Sequence, residues 1–303
     1  MTLSGIDLAR RAHQRSAIVE GQGFIAALDQ SGGSTPKALA AYGVDETQWA
    51  SPDEMFDLVH QMRARLITSR AFASGRVIGA ILFEQTMDRT VDGQPTATYL
   101  WDKLGIVPFV KSDAGLADRS DDVQLLAPNP GLGALLERAN AAGIYGTKMR
   151  SVIHAANAGG IEQIVGQQFE VASTILDTGL MPIIEPEVSI DAPDKAEAEI
   201  LLADSLLRHL DDLGERSVMF KLTLPEDPDL YRRFVEHRRV DRVVALSGGY
   251  GLVESCDRLR HAYGMTASFS RVLMTGLTAD LDDDLFEQRL EDTVAAIHEA
   301  SVA

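Results

Sequence analysis

Cysteine is nearly absent: Cys256 stands alone in 303 residues. A single thiol can form neither an intrachain disulfide nor a thiolate metal cluster, which points to a reducing, cytoplasmic setting. Cys256 itself reads as an inert small residue in a helix. Paired histidines are missing too. His13, His60, His154, His209, His237, His261 and His298 are scattered, none ends a predicted strand and no two have ligand spacing. No metal site and no cofactor are therefore expected. Long apolar runs are also lacking, since stretches such as VIGAILF (77–83) are far too short to span a bilayer. The N-terminus has no apolar signal core and reads as an amphipathic helix. Positive charge is scarce, with 28 basic against 45 acidic residues and a net charge of −17. Such a surface repels nucleic acid and anionic membranes. An anionic substrate would need cations gathered locally. With no low-complexity segment, Pro/Ser linker or long charge block, residues 1–303 are expected to form one domain.

What the chain does contain is a repeated order of elements: a short apolar strand, a polar loop, an amphipathic helix. Eight strand candidates occupy 23–29, 77–84, 106–113, 144–150, 180–187, 218–224, 242–249 and 266–273. The helical stretches between them carry apolar residues at a period of 3.6, as Phe286, Leu290, Val294 and Ile297 do in the last one. Strands alternating with helices predict βαβ units and a parallel sheet. Eight units in about 300 residues are the content of an α/β (β/α)8 barrel, here with an extra N-terminal helix and a C-terminal helix. A doubly wound open sheet is the competing fold. It has one motif in its favour, Gly21-x-Gly23-x-x-Ala26 followed by Asp45. That dinucleotide fingerprint needs a strand before it and a helix after it. Here the order is reversed, so the glycines read as a turn into the first strand.

The ends of the predicted strands are charged. Asp29 ends the first; Lys111 and Asp113 lie on the third, Lys148 and Arg150 on the fourth, Glu185 and Glu187 on the fifth, Lys221 on the sixth, and Arg271 on the eighth. Residues i and i+2 of a strand share a face, so Lys148 with Arg150, and Glu185 with Glu187, point the same way. Barrel chemistry collects at the C-terminal strand ends. Any one of these charges could be a structural ion pair; strand after strand ending so is the signal. Two Ser-Gly-Gly loops add anion-binding backbone: Ser31 to Ser34 after the first strand, and Ser247, Gly248 and Gly249 after the seventh. With Lys111 near one loop and Arg271 near the other, they suggest a bisphosphate spanning the mouth.

Lys221 sits inside the apolar run SVMFKLTLPE, where an unpaired lysine is rare. A free lysine titrates near 10.4, so roughly one in 2,500 is neutral at pH 7. Making it nucleophilic takes a drop of about 3 pH units, about 4 kcal/mol. Burial and nearby cations both act in that direction, and Lys148 and Arg150 are the expected cations. A neutral amine attacks a ketone to give a Schiff base, whose iminium accepts the electrons of a breaking C–C bond. Glu185, Glu187 and Asp29 are the available carriers of protons.

From Gly23 to about Leu273 the chain resembles class I (Schiff-base) fructose-bisphosphate aldolases of the shorter, bacterial type. The matching segments, in family order, are ALDQSGGS, ILFEQTM, VPFVKSD, TKMRSVI, MPIIEPEV, FKLTLP, LSGGYG and SFSRVL. The resemblance implies Lys221 as the Schiff-base lysine, Glu185 as acid/base for the imine, Glu187 and Lys148 as its partners, and Asp29 as the base for C3–C4 cleavage. It implies Ser247, Gly248, Ser268 and Arg271 at the 1-phosphate, Ser31, Ser34 and Lys111 at the 6-phosphate, and Arg150 as a substrate contact. It also brings a homo-oligomer as an expectation. Gln30 stands where animal members have an acid, Ser270 where they have a glycine, and the terminal tyrosine tail of longer members is absent. A related ketose bisphosphate such as tagatose bisphosphate, or phosphosugar binding without turnover, are the competing functions.

Overall fold

The computed structural model describes residues 5–31 and 35–303. Eight strands run parallel in the order of the chain: β1 Phe24–Leu28, β2 Val77–Leu82, β3 Val107–Lys111, β4 Gly146–Ile153, β5 Met181–Val188, β6 Val218–Thr223, β7 Val240–Leu246 and β8 Thr266–Ala267. The competing open sheet is excluded because the order never reverses and the edges meet. Ser268 N–H donates to Ala245 O on β7 at 2.7 Å, and Ala27 N–H on β1 donates to Phe269 O at 3.1 Å. The chain is a (β/α)8 barrel.

The eighth strand is much shorter than the predicted 266–273. Only Thr266 and Ala267 make ladder contacts, and residues 270–276 turn over the mouth. Ser268 and Phe269 still close the barrel through the two backbone bonds above. β4 runs past its predicted end to Ile153, paired with β5 along its whole length and, at Val152 and Ile153, with an antiparallel segment, Val123–Gln124. His154 therefore does follow a strand end. Its ring is held by Gln124 Oε1 at 2.9 Å, and it does not line the central cavity.

Each strand alternates between two cores, as a period of two requires. Outward residues such as Phe220, Leu222, Ile184 and Val110 pack under the helices. Inward residues such as Ile25, Ile81, Phe109, Ile183, Met219 and Val244 fill the barrel. The N-terminal helix Gly5–Glu20 plugs the bottom with Ile18, which belongs to this inner core. Gly21 and Gly23 carry the chain from that helix into β1. A Cβ at Gly23 would lie 2.3 Å from Arg76 O, so only glycine admits this crossing. The C-terminal helix Asp283–Ser301 is capped by Asp282, whose carboxylate accepts Leu285 N–H at 2.8 Å. It buries Phe286, Leu290, Val294 and Ile297, the stripe read from the sequence. Among the described residues no helix is long and apolar enough to cross a membrane.

Candidate active site

On β1, β3, β5 and β6 the inner face turns from apolar to charged as the strand nears its C-terminal end. Ile25 and Ala27 lead to Asp29, Phe109 to Lys111, Ile183 to Glu185 and Glu187, and Met219 to Lys221. The result is a cavity of about 770 Å³ at the barrel mouth, a size that suits a small substrate. Asp29, Ser31, Lys111, Lys148, Arg150, Glu185, Glu187, Lys221, Ser247, Gly248, Ser268 and Arg271 all border it. Gly249 does not. Ser34 lies outside the described residues.

The charges are paired from strand to strand. Lys148 Nζ is 2.6 Å from Asp29 Oδ2 and 3.0 Å from Glu185 Oε2. Glu185 Oε1 is 3.0 Å from Lys221 Nζ. Asp29, Lys148, Glu185 and Lys221 thus form one chain of alternating sign across β1, β4, β5 and β6. Lys148 is 3% exposed, Glu185 3% and Lys221 4%. At the next level out, Arg150 meets Glu187 at 3.1 Å. Asp113 binds Lys111 Nζ and also accepts the N–H groups of Arg150 (3.2 Å) and Gly115 (3.0 Å).

These neighbours shift the titrations. Burial alone would raise the Asp29 carboxyl, but Lys148 and then Lys221 outweigh it and hold Asp29 well below the usual carboxylate range. Burial would lower Lys148, but Asp29 and Glu185 hold its ammonium well above the usual lysine value. Burial raises Glu187, with Arg150 opposing, and burial wins. Lys221 is not surrounded as expected from the sequence. The anticipated cations, Lys148 and Arg150, are each bound to carboxylates, and the group against Lys221 is Glu185. A carboxylate that touches both lysines can pass a proton to or from either.

Around this chain the loops supply anion donors. Gly248 has φ +63° and Gly249 φ +139°, a turn closed by Ser247 O, which accepts the N–H groups of Gly249 at 2.7 Å and Tyr250 at 3.0 Å. A Cβ at 248 would also come within 2.6 Å of Ile190. The Ser268 hydroxyl is buried with no hydrogen-bond partner, and Arg271 stands close by in sequence and on the same cavity. Reading the sequence for strand ends gave no role to Lys37, Gln30 or Ser270, which border the cavity. Gln30 Nε2 donates to Ser270 Oγ at 2.6 Å, so the two departures from the animal pattern touch. Below them the fully buried Arg63 donates to Gln30 O at 2.5 Å and Thr86 Oγ1 at 2.8 Å. Asp113 was visible as the i+2 neighbour of Lys111, but period alone does not show what it binds. Among the described residues no three of His, Cys, Asp and Glu stand close enough to share a metal ion.

Comparison with known proteins places the chain. The family model for class-I fructose-bisphosphate aldolase matches residues 7–225. A fructose-bisphosphate aldolase class 1 from Synechocystis sp. is 54% identical over 281 residues, 92% of this chain and 94% of that protein. A Plasmodium falciparum fructose-bisphosphate aldolase, solved in complex with TRAP and a small-molecule inhibitor, superposes with a TM-score of 0.77 at 20% identity, over 100% of this chain and 96% of that one; at that identity the likeness speaks for the fold. The chain belongs to the class I fructose-bisphosphate aldolase family.

Proposed function

We propose that this cavity cleaves fructose 1,6-bisphosphate reversibly to dihydroxyacetone phosphate and glyceraldehyde 3-phosphate, through a Schiff base on Lys221. The observation that carries the reading is the buried chain Asp29–Lys148–Glu185–Lys221, closed by contacts of 2.6, 3.0 and 3.0 Å. It supports the reading with an amine, a carboxylate in contact with it and a second carboxylate in one chamber, the groups that such chemistry needs as nucleophile and proton carriers.

Lys221 Nζ adds to the ketone carbon once its proton has passed to Glu185. Glu185 then protonates the carbinolamine oxygen, water leaves, and a cationic imine remains. Asp29, kept ionised by Lys148, takes the proton of the C4 hydroxyl. The C3–C4 bond breaks, its electron pair passes to the imine as an enamine, and the aldehyde departs. Protonation at C3 and hydrolysis by water release the second product and restore the amine. Glu187 and Lys148 tune Glu185, and Arg150 contacts the sugar. Ser247, Gly248, Ser268 and Arg271 hold the 1-phosphate, and the unpartnered Ser268 hydroxyl supports that end. Ser31, Ser34 and Lys111 hold the 6-phosphate. The chain acts as one domain in the cytoplasm, as a homo-oligomer.

Borohydride with dihydroxyacetone phosphate should add one reduced triose to Lys221 and abolish cleavage, and Lys221→Ala should take up none. EDTA should leave the rate unchanged. An adduct elsewhere, or full activity in Lys221→Ala, would overturn the assignment. Comparing cleavage of the fructose and tagatose bisphosphates fixes the substrate.

A further inference from the structure

Strand β5 follows β4 for its whole length, from Gly146↔Met181 to Ile153↔Val188. Its pairing with β6 is different: only Ile183↔Met219 and Ile184↔Phe220 form the ladder. Beyond that point the two strands part. One reason is in the sequence, because Pro186 has no N–H to give to a ladder. The parting begins at Glu185 and Lys221, the residues whose side chains meet at 3.0 Å across it.

An open seam would leave the backbone of Val188 unpaired in a buried place, at a cost comparable to a lost hydrogen bond for each group. One hydroxyl prevents this. Val188 N–H donates to Thr223 Oγ1 at 2.9 Å, and Thr223 Oγ1 donates to Val188 O at 2.8 Å. A hydroxyl can do both at once, and Thr223 is 1% exposed. Thr223 follows Lys221 by two residues on β6, so the clamp lies one inward position beyond the amine. On the other strand, Val188 adjoins Glu187. The Thr223 methyl also lies against the Ser-Gly-Gly turn: a Cβ at Gly248 would be 3.6 Å from it.

We propose that Thr223 is a positioning residue for Lys221. Its hydroxyl replaces the missing ladder bonds and fixes the width of the β5–β6 opening, and with it the reach from Lys221 to Glu185 and Glu187. A full ladder at this level would draw the strands together; a seam with no clamp would let them drift. The inference rests on the Schiff-base reading for its kinetic consequence, though the clamp itself does not.

Thr223→Val keeps the shape and removes the hydroxyl, and Thr223→Ser restores the hydroxyl without the methyl. Misplacing a reacting group by about 1 Å costs on the order of 100-fold in rate. Thr223→Val should therefore lower kcat by about 10- to 100-fold, with KM for fructose 1,6-bisphosphate nearly unchanged, and slow borohydride trapping in proportion. Thr223→Ser should recover most of the rate. A second readout needs no sugar: the labelling rate of Lys221 by an amine-directed reagent, followed by mass spectrometry, should change in Thr223→Val and return in Thr223→Ser. Wild-type trapping on Lys221 tests the Schiff-base reading separately. Wild-type kcat and Lys221 labelling in Thr223→Val, or equal losses in both variants, would overturn the role of the hydroxyl. So would a lowered Tm with kcat and labelling intact.

Discussion

Lys148 is the residue whose loss has the most calculable consequence. Its ammonium sits between Asp29 at 2.6 Å and Glu185 at 3.0 Å, all three side chains being almost fully buried. Lys148→Met keeps the length of the chain and removes the charge. One ammonium, Lys221, is then left for two carboxylates. Removing one partner of a buried pair typically costs about 3–5 kcal/mol, because a buried charge is left uncompensated. Unfolding entropy of about 2.1 cal/mol/K per residue over 303 residues is about 0.64 kcal/mol/K, so the expected fall in Tm is about 5–8 °C. The pH dependence is the sharper test. In the native protein Asp29 is depressed, with Lys148 and Lys221 outweighing burial. An acid depressed in the fold adds stability that is present above its unfolded value and lost as pH falls through the folded one. In Lys148→Met the larger of these two opposing cations is gone, Lys221 is shared with Glu185, and burial is expected to raise the carboxyl. A raised acid adds stability below its unfolded value and loses it as pH rises. The deficit of the variant against wild type should thus grow from pH 5 to pH 8, read by thermal or urea denaturation at each pH. A deficit that is flat or shrinks over that range, or a variant as stable as wild type at pH 8, would refute this account of the buried chain.

Two further outcomes follow from the outer ring. Burial raises Glu187 despite Arg150, so ionising it opposes folding as pH rises through its folded value. Glu187→Gln should stabilise the protein by about 1 kcal/mol at pH 8 and by nothing at pH 4, while lowering kcat; a lower Tm at pH 8 would contradict this. Gly248 combines φ +63° with a 2.6 Å approach of Ile190 to any added Cβ. Gly248→Ala should cost about 1–3 kcal/mol and raise KM for the bisphosphate, and wild-type KM with an unchanged Tm would show that the turn is not needed.

The architecture was legible because two periods carry it. Apolar residues two apart mark the strands, and those about 3.6 apart mark the helices, independently of what each side chain contacts. The same period of two put Lys148 with Arg150 and Glu185 with Glu187 on one face, and the cavity borders on all four. Where the reading failed, the determinant was not local. β8 is confined to Thr266–Ala267, and residues 270–276 turn to border the cavity instead of continuing the strand, which no period signals. β4 extends three residues past its predicted end, where β5 pairs with it on one side and, at Val152 and Ile153, an antiparallel partner about 30 positions earlier in the chain on the other. The surroundings of Lys221 were misjudged for the same reason. Sequence places Lys148 and Arg150 near the amine, but whether cations or their carboxylate partners reach it depends on side-chain pairing between strands. Thr223 was invisible as anything but a strand residue, since its task exists only where β5 leaves β6.

The division of charge in the mouth explains how a chain of net charge −17 can present an anion site inside a barrel. Four carboxylates border the cavity, Asp29, Asp113, Glu185 and Glu187, together with six cations, Lys37, Lys111, Lys148, Arg150, Lys221 and Arg271. The deep level is balanced: Asp29 and Glu185 face Lys148 and Lys221, so neither sign is buried without its partner, the condition for tolerating charge there. The middle level is balanced as well, by Arg150–Glu187 and Lys111–Asp113. Lys37 and Arg271 remain, and among the described residues neither has an ion-pair partner. Lys37 lies on the short helix Thr35–Ala41 that follows β1, Arg271 lies in the turn after β8, and both are exposed to water. The surplus of positive charge is therefore kept at the rim, where it costs little in desolvation, and the acid–base groups are kept below it, where pairing shifts their titrations. In the proposed function a dianionic phosphate would meet the surplus first, and the sugar between two such phosphates would be left over the balanced level, in front of Lys221.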